Sequence, residues 1–347
     1  MNKLLSKRIN HKKWRDSLIE SFTLICMSSP GDVISITGPS RVGKTSLINE
    51  LIKKLGYDDD HETITSISVT AANSGPYGTF STKSFTISML EAAHYPFIPS
   101  TLEENSQIKT INPDRLTEHN LRLKLERFLK QRRTRFIFID EAQHAQYAPK
   151  AQGSHAVLDS WKCLAQTTNT ILIIVGAYPV LNIFKNSPHL LGRKRQVHLG
   201  RYQANPEDLL EFAAIVHEYS LELNLSEELK PLEKYTMTLY EGSFGCIGLL
   251  RNWLIGASAK AIAHEVRIDK NILMQCRFSD SDLEVIYHEI QTGEDLLRSE
   301  SPSFKTSAPD TTKEANKSIK EPRKQTKSKP FQKKPRRLAK GNRTSIK

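Results

Sequence analysis

Gly38-Pro39-Ser40-Arg41-Val42-Gly43-Lys44-Thr45 lies between residues 32–37, DVISIT, which read as a short buried strand, and a stretch with helical apolar spacing, residues 46–55, that stops at Gly56. The octet fits the pattern G-x-x-x-x-G-K-[ST], and its surroundings read strand, loop, helix in the order such a loop needs. Gly38 and Gly43 let the backbone curl until several N–H groups point inward, and the following helix adds its positive N-terminal end. A polyphosphate then meets donors already in place. Lys44 is expected to reach the β- and γ-phosphates of ATP, and Thr45 to offer its hydroxyl to Mg2+. Pro39, Ser40, Arg41, Val42 and Ser46 complete the residues expected against the nucleotide. Arg41 is an unusual occupant, free to face solvent, a neighbouring subunit or DNA.

Working outward, residues 135–144, RFIFIDEAQH, form an apolar strand that ends in adjacent carboxylates. This reads as the acidic companion of the phosphate loop. Asp140 at the strand's carboxyl end is expected to hold Mg2+ through water, and Glu141 to orient and polarise the water that attacks the γ-phosphate. A carboxylate in the second position points to hydrolysis rather than storage of nucleotide. The run differs from a helicase DEAH box by one inserted residue, and the companion helicase motifs are missing.

Further strands are expected at residues 64–70, 171–176 and 196–199, with helical patterns at 82–93, 114–133 and 154–166 between them. The alternation is that of an α/β fold with a parallel sheet. Asn112-Pro113-Asp114 and Asn205-Pro206-Glu207-Asp208 read as helix starts, each with an N-cap Asn and a first-turn Pro. Beyond Asn205 strands disappear, and helices near 227–240, 247–263 and 282–290 suggest a small all-helical lid. Ser281 and Glu284 have capping-box spacing. Four segments result: an N-terminal helical extension (1–30), a nucleotide-binding core (31–204), the helical lid (205–300) and a basic tail (301–347).

The charge sits in that tail. Residues 301–347 carry 15 Lys+Arg against 3 acidic residues, whereas residues 1–300 carry 35 of each sign, so the whole net charge of +12 belongs to the last segment. With almost no large apolar residues, the tail cannot bury enough surface to offset its ordering entropy, and it is expected to be disordered when free. Its partner is DNA through counterion release, an acidic protein, or none if it serves solubility alone. Within residues 115–135 the cations alternate with Leu121, Leu125, Phe128 and Leu129 and read as a solvated helix face, with Lys83, Arg122, Lys130 and Arg132 as possible phosphate contacts. Tyr77, Phe80 and Tyr95 read as packing residues.

Residues 1–14 are basic with no apolar stretch after them, and the longest apolar run, residues 171–177, is far short of a bilayer span. A cytoplasmic protein without a membrane partner is expected. Cys26, Cys163, Cys246 and Cys276 are scattered, with no C-x-x-C pair, and read as ordinary reduced thiols without a structural metal.

The order of parts resembles an AAA+ ATPase, and the details resemble the transposition regulators of the TniB/TnsC type. The resemblance covers roughly residues 10–265. It rests on GPSRVGKT, on FIFIDEAQH, on residues 157–165 (VLDSWKCLA) before a strand ending in Val175-Gly176, and on residues 189–195 (HLLGRKR) continuing after Gln196 as VHLGRY. It implies ATP-dependent assembly into a homo-oligomeric ring or filament on double-stranded DNA, linking a target-selection protein to transposase subunits. In such assemblies an arginine reaches the γ-phosphate from the next subunit. Arg193 fits that role best and Arg195 second, the alternatives being a solvated basic turn or a DNA-facing patch. Arg251 resembles a phosphate-sensing arginine of the lid. The chain departs from the pattern after its fourth strand, where Ala177 replaces the usual polar residue, which implies slow, regulatory hydrolysis. A signalling ATPase that does not act on DNA, and an ATP-binding scaffold, keep the same phosphate loop and remain open.

Overall fold

The computed structural model describes residues 9–56, 65–96, 112–149, 153–185 and 194–300. The basic tail, and with it the expectation of disorder, lies outside the described residues, as does Arg193. The described residues form one compact unit.

The expected strands become five parallel strands: β1 (Val33–Thr37), β2 (Ser66–Thr70), β3 (Phe136–Asp140), β4 (Ile171–Gly176) and β5 (Lys194–His198), in the order β2-β3-β4-β1-β5. All residues of β1, β3 and β4 are buried, as a parallel sheet covered on both faces requires. Alternation sorts the side chains. Ile34, Ile36, Ile173 and Val175 face one side with Leu18, Ile25, Leu47 and Leu51 from α1 (Lys12–Cys26) and α2 (Lys44–Leu55). Val33, Leu172 and Ile174 face the other side with α3 (Thr82–Ala92), α4 (Glu118–Gln131), α5 (Ser154–Thr168) and α6 (Pro179–Lys185). On α4 the buried residues are Leu121, Leu125, Phe128 and Leu129, so Arg127 and Lys130 ride the exposed face, while Arg122 is half-buried and reaches Ser160 on α5.

After the sheet the chain is helical: α7 (Pro206–Ser220), α8 (Thr236–Glu241), α9 (Ile247–Ala263), α10 (Lys270–Gln275) and α11 (Asp280–Glu300). Phe212, Tyr219, Leu239, Leu250, Trp253 and Leu273 form the heart of a core distinct from the two at the sheet. Asn205 caps α7 by accepting from Asp208 N–H at 2.8 Å, as its spacing predicts.

Several local expectations give way. Asn112-Pro113 opens only a single 3-10 turn (Pro113–Arg115), and α4 starts later, with Thr117 as its N-cap. The helix expected over 227–240 breaks into two 3-10 turns and α8, because Pro231 offers no N–H to a continuous helix. α11 is capped by Ser279, whose Oγ accepts from Asp282 N–H, rather than by Ser281, and it runs ten residues past 290. Phe80 is buried and Tyr95 packs on the core, but Tyr77 is fully exposed at a Gly-Pro-Tyr-Gly turn with left-handed backbone. Tyr77 is therefore not a packing residue.

Candidate functional site

All five strands point the same way, so the loops after β1 and β3 emerge on one edge of the sheet, with β4 between them. Ligand sites of open α/β sheets form at that edge. The phosphate loop turns there into α2 through Gly43, at φ 106°, and Arg41, at φ 63°.

Lys44 is buried, and its Nζ donates to the carbonyls of Gly38 at 3.1 Å and Pro39 at 2.8 Å. Burial pushes its pKa below the usual lysine range, and Glu141, Glu289 and Asp140 pull it back up. Thr45 Oγ1 donates to Asp140 Oδ2 at 2.8 Å. Asp140 Oδ1 accepts from the Glu141 backbone N–H at 2.8 Å. Burial raises the Asp140 carboxyl above its ordinary value, and the bonds from Thr45 and Glu141 oppose that shift. Lys44, Thr45, Asp140 and Glu141 are thus brought together from two loops 95 residues apart.

The donor set fits the groups a phosphate loop implies. A buried ammonium whose direct partners are two neutral carbonyls suits a polyphosphate. A buried carboxylate beside a hydroxyl is the hard-oxygen pair from which Mg2+ takes one or two protein ligands while keeping water and phosphate oxygens.

Beside the loop lies a cavity of about 320 Å³, the lower end of the range for small-molecule sites. It is lined by Asn10, His11 and Trp14 ahead of and on α1, by Val42, Gly43 and Ser46, and by Tyr219, Ile247, Gly248 and Arg251 from the helices beyond the sheet. Arg251 therefore stands at the phosphate loop. The two parts meet tightly there: Gly248 N–H donates to Arg41 O at 2.8 Å, and a Cβ on Gly248 would lie 2.1 Å from that oxygen. Ser46 lines the same cavity, whereas the Arg41 side chain is exposed.

Arg195 is not brought to this site. It pairs with Ile34 near the start of β1, about 10 Å of strand short of Thr37. There it lies 3.8 Å from Asp32 and 3.4 Å from the Met27 carbonyl. Arg122 is also committed within the chain, to Glu126 at 2.8 Å and to the Ser160 carbonyl at 2.9 Å.

Two residues at the site, Glu289 and Gln143, lie outside those expected from the sequence. Ser40 Oγ donates to Glu289 on α11 at 3.0 and 3.2 Å. Gln143 Nε2 donates to Glu141 Oε2, and Gln143 Oε1 accepts from Ala177 N–H at 3.0 Å. Gln143 lies inside FIFIDEAQH, and only its proximity to the acidic pair could have marked it. Further out, Arg201 and Glu294 form a buried bidentate pair at 2.8 and 3.2 Å. Among the described residues no helix is long and apolar enough to cross a membrane.

Residues 28–184 match the family of the AAA domain. The fold is similar to that of the Walker-type ATPase PABY2304 of Pyrococcus abyssi, with 17% identity, 83% of this chain and 76% of that one covered, and a TM-score of 0.50. It is also similar to the ORC2 protein of Aeropyrum pernix in its ADP form, with 15% identity, coverage of 75% and 66%, and a TM-score of 0.53. The ORC1 protein of Aeropyrum pernix in complex with DNA gives 14% identity, coverage of 78% and 65%, and a TM-score of 0.56. The chain thus spans just under two thirds of the length of each Aeropyrum protein. A search of curated proteins finds no match. At such identities the solved structures speak for the fold alone; the family match and the phosphate loop agree that residues 28–184 are an AAA-type P-loop ATPase domain.

Proposed function

We propose that this chain is an ATP-dependent regulator of DNA transposition. It binds ATP with Mg2+, hydrolyses it slowly, assembles into a homo-oligomeric ring or filament on double-stranded DNA, and links a target-selection protein to transposase subunits. The observation that carries the chemistry is the convergence of Lys44, Thr45, Asp140 and Glu141 on one edge of the sheet. Lys44 Nζ would bind the β- and γ-phosphates, the Thr45 hydroxyl would be offered to Mg2+, and Asp140 would hold that ion through water. When bound, Mg2+ supplies charge neutralisation at the phosphates. Glu141 Oε accepts a hydrogen bond from the attacking water and orients it. Arg251 reaches the phosphates from the helical side, and Arg193 or Arg195 completes the site of an adjoining subunit.

The DNA reading is supported by the motif resemblance and by the net charge of +12 gathered in residues 301–347. It also draws on the fold shared with an ORC1 protein in complex with DNA.

The test is ATP turnover and light scattering of the full chain, each with and without duplex DNA. Assembly in the presence of a non-hydrolysable analogue, together with turnover stimulated by duplex, is expected. Lys44→Ala is expected to abolish nucleotide binding, and Glu141→Gln to keep ATP-bound assemblies while stopping turnover. A chain that stays monomeric with analogue and duplex both present would overturn the proposal.

A further inference from the structure

The sequence leaves a gap beside the site. After β4 comes Ala177, which has no polar side chain to aim at the reacting edge. The structure puts the Gln143 carboxamide at that place. Its Oε1 accepts from Ala177 N–H at 3.0 Å, and its Nε2 donates to Glu141 Oε2. The chemistry of the partners fixes which end is which, because a backbone amide offers only a proton and a carboxylate only lone pairs. One side chain therefore ties Glu141 to the end of β4.

Two independent features make room for this tie. Gly176 is the residue beside the carboxamide, and a Cβ there would lie 2.7 Å from Gln143 Oε1. Glu141 itself is left-handed, φ 52° and ψ 34°, a conformation unfavourable for a residue with a Cβ. It is held there by Asp140 Oδ1, which accepts its N–H. Backbone and carboxylate of Glu141 are thus fixed separately, one by the metal-binding candidate and the other by Gln143. Strain of this sort persists where the surroundings over-determine it.

We infer that Gln143 is a positioning residue for hydrolysis: bridging Ala177 N–H and the Glu141 carboxylate, it holds that carboxylate in the orientation that aligns the attacking water. This rests on the reading of the site as one of ATP hydrolysis. Gln143 touches neither phosphate nor metal in this role, so it governs turnover and not nucleotide affinity.

The experiment compares the full chain with Gln143→Ala, Gln143→Glu and Gly176→Ala for ATP turnover, binding of a non-hydrolysable analogue, and thermal unfolding. Gln143→Glu keeps the acceptor for Ala177 and replaces the donor by a second carboxylate. In all three variants kcat is expected to fall by about ten- to a hundred-fold, the scale of a misplaced catalytic group. KM and analogue affinity should stay within about two-fold. Hydrogen exchange supplies a readout apart from activity: the Ala177 amide is expected to be protected in the wild type and to lose protection in Gln143→Ala. Wild-type turnover in Gln143→Ala, or an equal loss of analogue binding, would overturn the inference while leaving the ATPase reading intact. A wild-type chain that bound ATP without ever turning it over would sink the hydrolysis reading, and this inference with it.

Discussion

Ser40, in the middle of the phosphate loop, donates its hydroxyl to the carboxylate of Glu289, 249 residues further along the chain. A carboxylate therefore faces the loop that is to receive a polyphosphate, and its charge also supports the buried Lys44 ammonium. Nucleotide phosphates would take over that support and would repel Glu289. Glu289→Gln keeps an acceptor for Ser40 and removes the charge, so it is expected to bind ATP about five-fold more tightly, equivalent to ~1 kcal/mol. Titration calorimetry with a non-hydrolysable analogue reads this directly, and weaker binding would refute it.

Asp140 is a buried carboxylate whose charge is opposed by its surroundings when no cation is bound. Asp140→Asn removes that cost, since the amide oxygen still accepts from Glu141 N–H and the Thr45 hydroxyl can turn to accept from the new NH2. The variant is expected to be more stable without nucleotide by about 1 kcal/mol, seen as a higher unfolding temperature, while losing Mg2+-dependent turnover. Scanning calorimetry and a turnover assay together check both halves. A variant that is both less stable and active contradicts the assignment.

His11 caps α1 by accepting from Trp14 N–H at its Nδ1, and the same atom lies 3.0 Å from the Tyr202 hydroxyl. With Nδ1 as acceptor, the neutral ring carries its proton on Nε2. Burial first, and then the Lys13 charge, lower the ring's pKa from 6.5 to about 4. The unfolded chain takes up a proton as pH falls through 6.5, while the folded chain waits until about 4. Stability therefore drops across that window, by at most ~1.4 kcal/mol per pH unit. His11→Asn retains a capping oxygen but does not titrate, and should flatten the slope of unfolding free energy between these limits. An unchanged slope would show that His11 is not its source.

Gly248 sits where α9 meets the phosphate loop, with Arg41 O at 2.8 Å from its N–H and no room for a methyl group. Gly248→Ala must push backbone against backbone, and overpacking of this kind costs about 1–3 kcal/mol. Lower thermal stability together with weaker nucleotide binding is the expected outcome, because the same contact shapes the cavity. Normal binding in a destabilised variant would separate the contact from the site.

What could be read in the chain, and what could not, follows from the range of the interactions. β3 and β4 are dominated by contiguous apolar residues and β1 is short and rich in Val and Ile, so a buried parallel strand was the natural reading, and the phosphate loop is contiguous. Asn112-Pro113 has the chemistry of a helix start, but Thr117 outcompetes it as the cap of the amphipathic segment that follows. The helix expected near 282–290 continues to Glu300, through Gly293. In the folded chain it is the place where α11 comes against the Tyr178 ring, and a Cβ there would lie 2.0 Å from it. Glu289 on Ser40 and Gln143 on Ala177 are pairings of distant residues, set by how elements pack rather than by any local pattern. Tyr77 was misjudged for the opposite reason, since aromatic residues are usually buried and this one is held outward by its turn.

Helix α11 fastens to three places within six residues: Glu289 to Ser40, Gly293 to Tyr178 and Glu294 to Arg201. Those residues span only about 7.5 Å of a rigid rod. A slide of that rod along its axis would load all three moorings together, so the phosphate loop, the end of β4 and the segment after β5 share one common brace.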